Sequence, residues 1–307
     1  MTTVAEQRPT TGFSTSARLR GWLRNPWGKP RFLVLITWAY ILWSIVPVLI
    51  AVQFSFNETR SRTVWDSFST RWYWGDPVDS VWHDPTLRHA LVQTFKLAGA
   101  DVLIAVPIGV LLALGLARWH GHGSGAANYL MLLPLVTPEI VLATGIFFTL
   151  VFLYPFPDPG TVGQIVGHVT WSIPYVVVVL RGRIFGVGPE LEEAAMDLGA
   201  PPLDALRRVM LPVLAPAIFA AFTIVFALSI DDFVTSQFLS TDLKTQTVPM
   251  LIYSSGRTAP NPALNATATL MLVISLAAIG IGVWGMRVLA RRQGVRADGA
   301  DVANIRL

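Results

Sequence analysis

The placement of charge constrains this chain more than any other feature of its sequence. No Asp, Glu, Lys or Arg occurs from Phe32 to Asn57, Val102 to Ala117, Ile140 to Pro157, Pro159 to Leu180, Val209 to Ile230 or Thr258 to Met286. About 20 apolar residues carry a helix across the hydrocarbon core of a bilayer, whereas a closed transmembrane barrel shows alternating strands of about 10 residues. Stretches such as 110–116 and 176–180 are continuously apolar and do not alternate. The expected fold is therefore an all-α integral membrane protein with six transmembrane helices, at 32–54, 91–117, 130–153, 162–182, 214–238 and 264–289. Composition agrees, because 14% charged residues in 307 positions fall well below the roughly 25% of a soluble domain. The chain has no Cys, which excludes disulfide scaffolds, thiolate metal sites and cysteine nucleophiles.

Lys and Arg concentrate in the N-terminal tail, the 118–129 and 183–213 loops and the C-terminal tail, which six spans place on one side of the membrane. The opposite side carries Arg60, Arg62, Arg71, Arg88, Lys244 and Arg257. Basic residues stay preferentially in the cytoplasm, so both termini are expected there. The net charge of +4 then reports topology, and nucleic acid is not an expected partner. Residues 1–31 read as a cytoplasmic tail, disordered in its part rich in Thr, Ser and Arg, 32–289 as the membrane domain and 290–307 as a second cytoplasmic tail. The first apolar segment is too long for a cleaved signal peptide and reads as an anchor.

Within the second span Ala105, Gly109, Ala113 and Ala117 recur at every fourth residue and form a stripe for close helix packing. Pro47, Pro107, Pro134, Pro138, Pro174 and Pro216 mark kinks or helix ends. Backbone groups freed there are tolerated in a membrane only where protein buries them or a cavity solvates them.

The segment 186–212 is the most informative. Pro189 can open a short helix with Glu190, Glu192 and Glu193 at its positive end, and Gly199 supplies a stop. Pro201 or Pro202 can open a second helix, with Leu203, Leu206 and Met210 near one face, until Pro212 leads into the fifth span. Glu193-Ala194-Ala195, Gly199 and then Val209-Met210-Leu211-Pro212 keep the spacing of the EAA loop of binding-protein-dependent ABC importer permeases, which this chain resembles. The resemblance implies a type I importer permease fold whose cytoplasmic coupling helices dock on a separate ATPase through Glu193, Ala194, Ala195, Gly199, Val209, Leu211 and Pro212.

Further motifs narrow the resemblance to the permeases of spermidine/putrescine importers. They include Ser55-Phe56-Asn57-Glu58-Thr59-Arg60, Arg71-Trp72-Tyr73, Pro138-Glu139-Ile140-Val141 and His168-Val169-Thr170 with Pro174-Tyr175. Leu228-Ser229-Ile230-Asp231-Asp232 and Asn265-Ala266-Thr267-Ala268-Thr269 complete the set. One departure is Pro262-Ala263, where relatives carry Pro-Glu. The resemblance implies as partners an ABC ATPase dimer that holds ATP and Mg, a second homologous permease, an extracytoplasmic solute-binding protein and membrane lipid, with no cofactor in this chain. It implies a prokaryotic inner-membrane location.

No enzyme is expected. The pair Gly28-Lys29 is followed by Pro30 and forms no phosphate loop, and neither His-Glu-x-x-His nor Gly-x-Ser-x-Gly occurs. His120 and His122 in a short loop fall short of a metal site. Ionisable residues at membrane depth are Lys96, Asp101, Glu139, Asp231 and Asp232. Lys96 and Asp101 can pair or snorkel, and Glu139 can cap a broken helix after Pro138. Asp231 and Asp232 lie about 25–30 Å along a helix from Pro212. Glu139, Asp231 and Asp232 are the candidates for the path of a cationic solute, with helix capping or pairing open for the two aspartates; adjacent residues of one helix point apart, so one of the two at most should face the path. A secondary transporter or channel, or a permease for another small solute, is the competing class.

Overall fold

A computed structural model describes residues 31–61, 64–153, 159–258 and 262–292. The tails expected at 1–31 and 290–307 lie outside these residues, apart from Arg31 and 290–292, which belong to helices. The described residues form helices, with one isolated bridge between Asn57 and Phe68. The elements are α1 (Arg31–Ser55), α2 (Pro85–Arg118), α3 (Ser124–Val136), α4 (Glu139–Phe148), α5 (Thr161–Val187), α6 (Glu190–Asp197), α7 (Pro202–Ala205), α8 (Leu211–Asp231), α9 (Val234–Leu239), α10 (Val248–Thr258) and α11 (Pro262–Arg292). The described residues divide into one unit from Ala51 onward and another that holds α1 up to Ile50. α1 is an apolar helix of membrane-crossing length.

Among the described residues five helices are long and apolar enough to cross a membrane, and there are six when a bent pair is counted as one span. The pair is α3 with α4 and its π-helical extension to Leu153, which meet at 104°. The third expected span, 130–153, is therefore broken at Thr137-Pro138, where proline forces an extended residue before it and lacks the N–H a continuous helix needs. The fifth expected span, 214–238, is also interrupted. α8 stops at Asp231, Asp232 and Phe233 form the break, and α9 resumes at Val234.

In residues 51–297, α2, α5 and α8 pack on one another, and α11 packs on α8. Their core holds Val102, Val106, Val110, Val176, Leu180, Leu214 and Val225. The stripe of small residues does what its spacing predicts: Ala105, Gly109 and Ala113 are buried on α2, and a Cβ on Gly109 would stand 2.5 Å from Val176 Cβ on α5. Helix backbones approach this closely only where one lacks a side chain.

A second apolar cluster gathers Trp72, Tyr73, Val81, Ala90, Val248 and Ala263. It underlies the connection from α1 to α2, which the motifs around Asn57 and Trp72 build. The Asn57 side chain accepts from Asp66 N and donates to Val64 O, both at 3.0 Å, while Trp72 Nε1 donates to Asn57 O at 2.5 Å. Ser55 Oγ and Tyr73 Oη are 2.7 Å apart. Arg71 Nη2 lies 2.7 Å from Asp76 and, with the backbone N–H groups of Asp79 and Val78, holds that carboxyl well below the usual carboxylate range. Ala263 is fully buried in this cluster.

Candidate functional site

Two assemblies within residues 51–297 carry the residues singled out by sequence. The first is the bracket between α5 and α8. α6 begins after Pro189 with Glu190, Glu192 and Glu193 in its first turn. It ends in a Schellman arrangement: Ala200 N donates to Ala195 O at 3.0 Å, Gly199 N donates to Met196 O at 2.9 Å, and Gly199 adopts φ +90°. The interval from Glu193-Ala194-Ala195 to Gly199 is thus the length of a helix end whose last carbonyls must be closed by a left-handed residue.

The chain then enters α7 at Pro202 and passes through a π-helical turn, Leu206–Met210, straight into α8. Pro212 leads into the fifth span at the start of α8, as the sequence predicts. Pro212 sits in the first turn of α8, where no intrahelical donor is required, and the π turn closes just before it with Leu211 N donating to Leu206 O. Of the residues placed near one face, Leu203 is exposed, Leu206 half-buried and Met210 buried, and Ala205 is buried as well. Arg118 at the end of α2 pairs with Glu192, and Asp204 pairs with Arg208 at 3.5 Å. Glu193 and Ala194 are exposed, Ala195, Val209, Leu211 and Pro212 are half-buried, and Leu198 is 91% exposed.

The second assembly lies where the two broken spans meet. A cavity of about 550 Å³ is lined by Thr137, Glu139, Trp171, Tyr175, Asp231 and Asp232, among others. Breaks at Thr137-Pro138 and Asp232-Phe233 face it from two sides, as expected for irregular backbone at membrane depth. Glu139 is the first residue of α4. It makes no cap to its own helix; its Oε1 accepts from Thr235 Oγ1 of α9 at 3.3 Å. Trp171 and Tyr175, on successive turns of α5, stand edge to face with ring centroids 5.6 Å apart.

Asp231 and Asp232 both border the cavity, contrary to the expectation that only one could. That expectation assumed a continuous helix, and α8 ends between them: Asp232 is extended, with φ −64° and ψ 122°. Their environments nevertheless differ. Asp231 is exposed, whereas Asp232 has a side chain 1% exposed and wraps the start of α9, accepting from Thr235 N at 3.2 Å and Ser236 N at 2.8 Å.

Sequence reasoning placed His168 in a motif without a role. It is fully buried on α5, with Nε2 3.0 Å from Asp232 Oδ2 and Nδ1 2.7 Å from Ser229 Oγ. The only advance signal was its charge-free interval, since its partner lies 64 residues on. Asp101 is buried as well and accepts from Ser172 Oγ at 2.7 Å, while Lys96 is exposed and forms no described ion pair with it. Among the described residues no group of three or more His, Asp or Glu could hold a metal ion.

Broken spans around an acid-lined cavity, with a helical bracket between α5 and α8, define an integral-membrane permease. The chain belongs to the binding-protein-dependent transport system inner membrane component family, whose model matches residues 105–295. It is 33% identical over 282 residues to the putrescine transport system permease protein PotI of Escherichia coli (strain K12), covering 89% of this chain and 95% of that one. It is 31% identical over 246 residues to the spermidine/putrescine transport system permease protein PotC of Haemophilus influenzae, covering 80% and 91%. Its fold matches a chain of the crystal structure of a bacterial ABC transporter involved in the import of the acidic polysaccharide alginate, with a TM-score of 0.68 at 18% identity over 88% of this chain and 98% of that one. The chain is thus a permease of the ABC importer family, with the all-α type I fold.

Proposed function

We propose that this permease conducts a polyamine, delivered by an extracytoplasmic binding protein, through the membrane under the power of a separate ATPase dimer. The cavity carries the proposal: the acids Glu139 and Asp231, with Asp232 at the break, line it together with Trp171 and Tyr175, in a chain similar to putrescine and spermidine permeases. An alkyl diamine or triamine stripped of water needs carboxylates for its ammonium groups and aromatic surface for the charge-bearing carbons. Multiple modest contacts allow release as well as entry.

The bracket is the docking element for the ATPase. Leu191 and Leu198 leave apolar surface on α6, and Glu193, Ala194 and Gly199 are exposed beside them. The tight closure at Gly199 makes α6 rigid, so a force on it reaches α2 through the Arg118–Glu192 pair. In this reading ATP and Mg bind to the ATPase, a second homologous permease completes the pathway, and the bracket and both termini are cytoplasmic.

A different small solute is the second reading, and Pro262-Ala263 is the observation that favours it. Its weight is reduced by location, because Ala263 is packed with Trp72 and Tyr73 and does not line the cavity. The discriminating experiment is competition for uptake in cells that depend on this importer with its cognate partners. Excess putrescine or spermidine should suppress uptake of labelled putrescine, and neutral sugars should not. Absence of any polyamine uptake, or indifference to polyamine competition, would refute the proposed solute class.

A further inference from the structure

The two adjacent aspartates have unequal hydrogen-bonding capacity left for a solute. Asp232 Oδ2 receives the Ser236 N–H and the Ser236 hydroxyl, both at 2.8 Å, and faces His168 Nε2 at 3.0 Å; Oδ1 receives the Thr235 N–H. A carboxylate offers about four lone-pair sites, so this one is filled from within the protein. His168 is itself held in place. Its Nδ1 is 2.7 Å from Ser229 Oγ and its Nε2 is also 3.1 Å from Ser236 Oγ, which fixes the ring between α8 and α9. Ser229 precedes the break, Asp232 belongs to it and Ser236 follows it, so a single imidazole from α5 fastens both ends of it.

We propose that His168 is a positioning residue for the translocation path: it clamps Asp232 at the break between α8 and α9, which withholds that carboxylate from the solute and presents Asp231, with Glu139, to the cavity. The assignment rests on the polyamine reading above, and it deepens that reading by dividing the acids into two that meet the solute and one that shapes the path. The break contains neither glycine nor proline, only Asp232 and Phe233. What stops α8 there is the competition of the Asp232 side chain for the N–H groups of α9, completed by the imidazole. Glu139 hydrogen-bonds to Asp232 and accepts the 3.3 Å bond from Thr235, and it lines the cavity together with Asp231.

The test uses the full importer, with uptake kinetics and cysteine labelling read on the same variants. Asp231→Asn should raise the KM for putrescine by about tenfold with assembly intact, the size expected when one charge-assisted contact is lost. His168→Leu removes the donor and frees Asp232 to act as a substitute acid, so Asp231→Asn should cost at most about threefold in that background, a non-additivity that two unconnected sites do not show. His168→Gln retains a donor of similar reach and should restore the full Asp231 dependence. Additive effects of His168→Leu and Asp231→Asn, or equal KM increases for Asp231→Asn and Asp232→Asn, would overturn the proposal.

The labelling arm is independent of the solute. The chain has no cysteine, so a cysteine introduced into it is its only thiol. A membrane-impermeant cationic thiosulfonate should modify Asp231→Cys readily and Ser236→Cys hardly at all, with Ser236→Cys becoming reactive when combined with His168→Leu but not with His168→Gln. Loss of polyamine uptake selectivity with this labelling pattern intact would sink the solute assignment alone. Unchanged protection of Ser236→Cys in His168→Leu would sink the clamp.

Discussion

Gly109 and Gly115 share α2 but not an environment. A methyl group on Gly109 would meet Val176 at 2.5 Å, whereas one on Gly115 has no heavy atom within 4 Å. Gly109→Ala should therefore force α2 and α5 apart and destabilise the bundle by about 1–3 kcal/mol. Gly115→Ala should be neutral or stabilising by up to about 1 kcal/mol, since it only relieves the helix of a glycine. Thermal unfolding of the two variants in detergent, followed by loss of the monodisperse peak, checks the contrast; equal shifts would mean that the stripe does not set the helix spacing. This part of the account was legible in the sequence, because residues four apart share a helix face whatever the fold. The partners of His168 were not. A side chain buried at 0% exposure on one helix finds its acceptor on another, and no periodicity within either helix encodes that meeting.

At the scale of elements, proline announced one break, while the other was open in the sequence only as a capping role for Asp231 and Asp232, which Asp232 fills at the start of α9. Pro138 marks the bend between α3 and α4, while the interruption at Asp232-Phe233 arises from side-chain competition for backbone donors and carries neither glycine nor proline in the sequence. The end of α6 was legible to the residue, because only glycine takes φ +90° without strain. Gly199→Val should cost about 1–2 kcal/mol at this position, reshape α6 and reduce recovery of the ATPase with the permease, while membrane insertion is retained. Pull-down of the complex measures this, and wild-type recovery would contradict the docking role of the bracket. The connection from α1 to α2 makes a pH prediction of its own. Asp76 is held below its unfolded value of about 3.9, so its contribution is fully present above that value and is lost as pH falls through the folded-state value. Amide exchange over residues 72–84, corrected for intrinsic rate, should be the same at about pH 7 and pH 5 by this linkage. Asp76→Asn, which mimics the protonated form, should accelerate it at both. No acceleration would show that the Arg71–Asp76 pair does not order the loop.

For the whole molecule, charge-free intervals sufficed to foresee an all-helical membrane bundle, and the spacing from Glu193 to Pro212 sufficed to foresee its family. What those signals could not place was the cavity, which exists because two separate spans are broken where they face each other. The central claim is that this acid-lined cavity is where a polyamine crosses. Its most direct test is ATP-driven accumulation of labelled putrescine in proteoliposomes containing the complete importer, with wild-type permease compared with Glu139→Gln, Asp231→Asn. Removing both charges at nearly constant volume should reduce uptake at low putrescine concentration by on the order of a hundredfold, if each supplies a charge-assisted contact of about tenfold. A correctly assembled double variant that accumulates putrescine at the wild-type rate would contradict the account.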